Sequence, residues 1–425
     1  MNASLTEAYL AILREELLPA VGCTEPIALA YAAALLRQTL GGVPERVKAS
    51  VSGNILKNVK SAVVPNTAGM RGIPAAVAAG VTAGDPDAGL EVLARAGECG
   101  SQCQAFLSVT PVEVCCLDTL FPLDILLEGA RDADTASVRI TGSHTNVAYL
   151  QKNGQVLRNC PPNTEAAVCR TDRSVLNIND IVEFAEQTQL SVLQSIFRSQ
   201  MQMNMAIAEE GMKNRWGSSI GRHMLMLDSS AAGQAAAYAA AGSDARMSGC
   251  PMPVMILSGS GNQGLTASVS VVRYGQLTNC TEEQILRALA VSSLTSIHLK
   301  TGIGRLSAYC GAISAGCGAG AGIAWLRGAA KTGIEETVSN ALAILSGTIC
   351  DGAKPSCAAK IAMAVRSGIL GYEMTLTGDS FLPGDGIVGK TVEKTIANAG
   401  LVGREGMRQT DRVILDIMLG NNTEN

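Results

Sequence analysis

From Leu306 to Leu326 the chain carries no charged residue, and five glycines, two cysteines and two serines interrupt its apolar positions. A run of that length raises the question of a membrane span. So many small residues read instead as a helix buried in protein, its neighbours close against its backbone. The rest of the chain agrees. It is 47% hydrophobic but 3% aromatic, so its core must be built from Ala, Val, Leu, Ile and Met. Small-residue helix packing fits that composition better than an aromatic-rich β-sandwich. With 425 residues the chain has room for two or three domains and at least one large core. Charged residues make up 16%, against roughly 25% in an average domain, which excludes a disordered chain. The net charge of −4 comes without basic blocks, so a nucleic-acid partner is not expected.

The opening segment, MNASLTEAYLAILREELLPA, has no basic stretch ahead of an apolar core, so no secretory leader is expected. Thirteen cysteines in such a chain point to a reducing, cytoplasmic setting in which most thiols are buried apolar residues.

Apolar spacing predicts a helix over 5–18, ended by Pro19. A second is predicted from Thr24 and Glu25, with Pro26 in its first turn, to Leu40, where Gly41-Gly42 stops it. Cys23 then stands just ahead of a helix N-terminus. VKASVSG alternates like a strand; 74–79 and 90–96 look helical; 106–115 and 136–149 look extended. Asn153-Gly154 is a hairpin signal. Beyond residue 174 helical patterns dominate, at 179–197, 202–214, 282–294, 334–345 and 360–370. Gly-rich loops, SGSGNQG and TGDSFLPGDGIVGK, lie between them. The expected fold is α+β: a mainly α-helical catalytic domain over 1–43 and 174–425, with a smaller α+β domain over 44–173 inserted near the N-terminus.

Spacing says little about metal. Cys350 and Cys357 bracket DGAKPS, and Cys310 and Cys317 share YCGAISAGC. Neither pair has the C-x₂₋₄-C spacing of zinc sites. Cys99 and Cys103 do, with no second pair to match, and the compact ferredoxin spacing is absent. On this ground alone the thiols read as inert core residues ahead of metal ligands.

Five segments occur in order: VGCTEPIALAYAAA, SGNILKNVKSAVVPNTAGMRGIPAAVAAG, ILSGSGNQG, YCGAISAGCGAGAG and GTICDGAKPSCAAK. Together they resemble the L-cysteine desulfidase family, itself similar to the iron–sulfur L-serine dehydratases in its helical catalytic domain. The resemblance runs over nearly the whole chain. It implies a [4Fe–4S] cluster on Cys310, Cys350 and Cys357, with Cys280 and Cys317 structural. Three protein thiolates leave one iron open to the substrate's β-substituent, a Lewis-acid role. The similar dehydratases close that iron with a C-terminal cysteine. No cysteine follows Cys357 here, and the tail MLGNNTEN implies an iron that meets water or substrate directly. The resemblance also implies that Cys23 removes the Cα proton. The helix behind it is expected to lower its pKa, though a cysteine that merely packs a helix start has the same appearance.

For the amino-acid substrate, the Gly-rich segments offer free backbone N–H groups. Lys57 and Arg71 are the charged candidates in them, and Asn54, Asn66, Ser260 and Asn262 the polar ones. His144, in GSHTN, resembles a turn near the dehydratase active site; a plain turn histidine is the alternative. His223 and His298 read as local hydrogen-bonding residues, and Asp351 as a support beside a cluster cysteine or a helix cap. The resulting expectation is an enzyme that releases sulfide from L-cysteine and yields pyruvate and ammonia. L-Serine dehydration on the same scaffold competes with it, as do a cluster-free amino-acid-binding protein and an electron-transfer protein. A homo-oligomer is compatible with an Ala/Gly-rich helical enzyme.

Overall fold

The structure, a computed structural model, describes residues 2–160, 171–304 and 306–420. The last five residues, on which the unplugged tail rests, lie outside them.

Asn2 caps α1 (Ala3–Glu16), its side chain accepting from the Leu5 N–H. Pro19 falls inside a short strand, β1 (Leu18–Val21). The next helix, α2 (Thr24–Leu40), starts after Cys23 and stops at Gly41, as Pro26 and the glycine pair predict. Gly41 takes φ 80° and returns its N–H to the Arg37 and Gln38 carbonyls, a left-handed cap that suits glycine. Next come β2 (Arg46–Val51), α3 (Gly53–Val59), α4 (Gly72–Ala83), α5 (Gly100–Val109), β3 (Val112–Cys116), β4 (Asp124–Arg131), β5 (Asp134–Thr141), β6 (Val147–Lys152) and β7 (Gln155–Asn159).

Two readings in this stretch are corrected. The helix expected over 90–96 shrinks to a single 3₁₀ turn, Gly89–Glu91. The extended segment expected from Phe106 begins only at Val112, because α5 runs on to Val109. Cys103 and Phe106 are both buried on its inner face, and Pro111 favours extended backbone in the residue before it. Burial at helical spacing outweighs the β-preference of this stretch.

Six strands form a mixed sheet in the order β3-β2-β4-β5-β6-β7, parallel only between β2 and β3. Asn153 (φ 48°) and Gly154 (φ 79°) turn β6 into β7, the hairpin that dipeptide predicts. Helix α2 packs on α4 and against β4 and β5. Gly129 of β4 makes room for it: a Cβ there would sit 2.9 Å from Leu36. On its inner side, then, α2 lies on the sheet and α4.

The second half is helical: α6 (Ile178–Gln187), α7 (Leu190–Lys213), α8 (Ile220–Leu227) and α9 (Ala231–Met247). One strand, β8 (Pro253–Ile256), precedes α10 (Gly261–Leu277), α11 (Glu282–Ile303), α12 (Gly311–Leu326), α13 (Lys331–Leu345), α14 (Ser356–Thr377), α15 (Val392–Leu401) and α16 (Met407–Leu419). The helix break expected near 200 lies instead at Thr188-Gln189. There the Arg287 guanidinium donates to the carbonyls of Ala185, Glu186 and Thr188, supplying partners that a helix end lacks. Antiparallel pairing of β1 with β8 ties the N-terminal segment to this half.

Helix α12 is the uncharged run, and it is buried on every side from Ala312 to Ala324. A Cβ at Gly320 would lie 2.6 Å from the Gly368 carbonyl oxygen of α14, and one at Gly318 would lie 2.4 Å from the Ser292 carbonyl oxygen of α11. Its glycines therefore let two neighbours touch its backbone. No helix among the described residues is long and apolar enough to cross a membrane.

Candidate active site

Four helix starts meet at one cleft. Cys23, Ser260 and Cys310 are the N-cap residues of α2, α10 and α12, and none of the three side chains caps its helix. Cys357 lies in the first turn of α14. All four line a cleft of about 910 Å³ counting its open mouth, as does Cys350. Uncapped first-turn N–H groups and the helix dipoles make such a place favourable to anions.

The backbone explains the convergence. Gly22 turns into α2 at φ 75°, and a Cβ there would meet Pro65 at 2.4 Å. Ser258 (φ 50°) and Gly259 (φ 76°) make the turn from β8 into α10. The two cysteine segments run side by side: the Cys310 N–H donates to the Thr348 carbonyl at 3.1 Å, and the Cys350 N–H to the Ala308 carbonyl at 2.6 Å. Gly352, at φ 93°, presses on α3, where a Cβ would come 2.5 Å from the Lys57 carbonyl oxygen.

Charge separates the sulfurs. The Cys310 thiol donates to Cys350 and holds its pKa down to about 6, aided by Lys57, the Gly352 N–H and Lys300. Cys310, as that donor, is pushed up, with burial adding to the rise. Burial raises Cys357 against the pull of the Lys354 N–H and the nearby Lys354 and Lys360 ammonium groups. Cys23 departs from expectation. Burial pushes its thiol up to about 12, with Arg246 pulling the other way and Glu25 and Cys357 adding to the rise. Its Sγ lies 3.9 Å from Met247 Sδ. Burial thus outweighs the helix N-terminus behind it.

Among the residues expected to contact substrate, His144, Ser260 and Asn262 line the cleft. The other four lie outside its lining, each with a different setting. Lys57 is buried and ion-paired with Asp411 of α16, where its charge acts on Cys350 from behind. Asn66 takes φ 62°; its Nδ2 donates to the Leu93 carbonyl, and its own carbonyl accepts from the Cys99 N–H. Arg71 is exposed at the start of α4, and Asn54 sits in the first turn of α3. Cys317 is buried within α12, away from the cleft. Asp351 accepts from Lys360 and pairs with Lys354, bracing the loop between two cysteines. His298 is engaged by Glu393 at 2.6 Å. Three cleft residues escaped the sequence reading: Glu25, Arg246 and Lys300. For Arg246 there was one signal, a lone cation at the end of the Ala-rich helix α9.

As they stand, no three His, Cys, Asp or Glu side chains among the described residues are gathered to hold a metal ion. Cys310 and Cys350 are within hydrogen-bonding reach of each other instead. The donor chemistry nevertheless fits a cluster. Three thiols face one cleft, one of them shifted toward thiolate, with Lys57 and Lys300 to offset negative charge.

The serine dehydratase alpha chain family matches residues 123–416. A UPF0597 protein of Desulfitobacterium hafniense is 49% identical over 97% of this chain and 96% of its own length. One from Treponema denticola is 44% identical over 99% of both chains. A third, from Bacteroides fragilis, is 36% identical over 98% of this chain and 99% of its own.

Proposed function

The chain belongs to the serine dehydratase alpha chain family, and from that premise we propose a lyase that removes the β-substituent of a small L-amino acid, with L-cysteine as its substrate. The observation that carries this reading is the meeting of Cys23, Cys310, Cys350 and Cys357, from separate stretches of chain, in one cleft. In the reaction the Cα–H and Cβ–S bonds break. The proton goes to the protein and the electron pair leaves with sulfur. The aminoacrylate so formed becomes an imine, and water hydrolyses it to pyruvate and ammonia.

A [4Fe–4S] cluster on Cys310, Cys350 and Cys357 supplies, when bound, an iron without a protein ligand as Lewis acid for the departing group. Cys23 is the residue that takes the Cα proton, standing at the head of α2 beside Cys357. A base must be deprotonated and well placed; burial holds the Cys23 thiol protonated, and the Arg246 charge opposes it without prevailing. His144, Ser260 and Asn262 line the cleft as polar contacts for the substrate. Asn54, Asn66 and Arg71 are left without a part, and Lys57 supports Cys350.

L-Serine dehydration by the same residues is the second reading, favoured by the family's own description. Anaerobically reconstituted protein, assayed with L-cysteine and L-serine side by side, tests both. Sulfide equimolar with pyruvate, at a higher kcat/KM than for L-serine, is the expected result. Preference for L-serine selects the second reading, and iron-replete protein inert toward both contradicts the lyase.

A further inference from the structure

Arg246 and Glu25 are two of the three charged cleft residues, with Lys300, that the elimination leaves unused as ligands. Arg246 is 3% exposed. One guanidinium nitrogen donates to Asn262 Oδ1 at 3.1 Å, while Nε is buried without an acceptor. No carboxylate pairs with it among the described residues. A buried cation without a counter-charge is costly, so its retention at a cleft wall points to an anion arriving from outside. The side chain lies against the start of α10: a Cβ at Gly261 would come 2.2 Å from Arg246 Nε.

Glu25 has the complementary character. Its Oε2 accepts from the Thr24 hydroxyl and its Oε1 from Asn58 Nδ2, each at 3.0 Å. Both donors are neutral, so they fix the carboxylate without cancelling its charge. The charges of Arg246 and Glu25 both act on the Cys23 sulfur. A zwitterionic α-amino acid carries the matching charges on either side of its Cα–H.

We propose that Arg246 binds the α-carboxylate of the substrate and Glu25 its α-ammonium group, setting the Cα–H at the Cys23 sulfur. Asn262 positions the guanidinium; Thr24 and Asn58 position the carboxylate. The assignment rests on the lyase reading for what happens at that Cα–H, while recognition of the zwitterion needs no elimination. Lys300 is the other cation of the cleft; its electrostatic partners are Cys350 and Cys310 first, then Lys57 and Glu25.

L-Alanine, which has no leaving group, separates recognition from chemistry. Calorimetric binding of L-alanine, its methyl ester and N-acetyl-L-alanine to anaerobic holoprotein gives two preferences, acid over ester and amine over N-acyl. Each is expected to be roughly 10- to 100-fold, the range of a charge-assisted hydrogen bond. Arg246→Ala should erase the first and spare the second; Glu25→Gln should do the reverse. Arg246→Lys should keep part of the acid preference. Gly261→Ala, which displaces the guanidinium but retains it, should weaken that preference, so the test survives if Arg246→Ala fails to fold. A residue with a merely structural role would lower thermal stability and leave both ratios intact. Ratios unchanged in the variants, absent from the wild type, or lost in Lys300→Met instead would overturn the assignment. Wild-type protein with both preferences but no turnover of L-cysteine or L-serine would sink the lyase reading alone.

Discussion

Two groups of cysteines in this molecule have different settings, and in only one of them is a thiol lowered. Cys99 and Cys103 are one helical turn apart and fully buried, the Cys103 thiol donating to Cys99 at 3.8 Å. The Cys99 thiol donates in turn to the Asn66 carbonyl at 3.1 Å. Burial, then Cys103 and Glu98, pushes Cys99 up to about 12. Cys310 stands forty positions before Cys350 and its neighbour Cys357, yet the three meet among lysines and helix N-termini, and Cys350 falls to about 6. Close spacing makes neighbours, whereas thiolate character comes from the charges and dipoles around the sulfur. The pair is buried in the core; the trio lines the cleft.

The largest expected contrast is Cys350→Ala against Cys99→Ala. The first should lose bound iron and lyase activity together, the second neither, by iron assay and pyruvate release. Gly352→Ala comes next. An alanine strained at φ 93° and pressed on the Lys57 carbonyl must shift the Cys350 loop, and such a displacement costs activity on the order of 100-fold. The double variant Lys57→Met/Asp411→Asn removes the charge behind Cys350 without stranding its partner. Iron release to a chelator should then quicken roughly tenfold, as when a ligand loses its outer support. Cys103→Ala should have the smallest effect, about 1 kcal/mol of stability in a denaturant melt, with iron content unchanged.

Local signals carried much of the fold. Pro26 and Gly41 bound α2 as expected, and Asn153-Gly154 turns β6 into β7. The small-residue run became the buried α12. What stayed hidden was decided by distant partners. The end of α6 depends on Arg287, about a hundred positions away, and α5 continues through Phe106 because the core takes that face. In the candidate site, the cysteines were visible through family likeness. Arg246 was not, because one arginine in an Ala-rich helix looks like a dipole-matching C-terminal cation. Its burial without a carboxylate partner among the described residues shows only in the fold. Lys57 misled in the other direction: the motif is real, but the ammonium is spent on Asp411 and Cys350.

Mössbauer spectroscopy of anaerobic ⁵⁷Fe-reconstituted protein, with and without L-cysteine, reaches the central claim most directly. The account predicts a four-iron signal in which a single iron shifts when the amino acid is added. Protein that takes up no iron, or a cluster whose irons all ignore L-cysteine and L-serine, would contradict it.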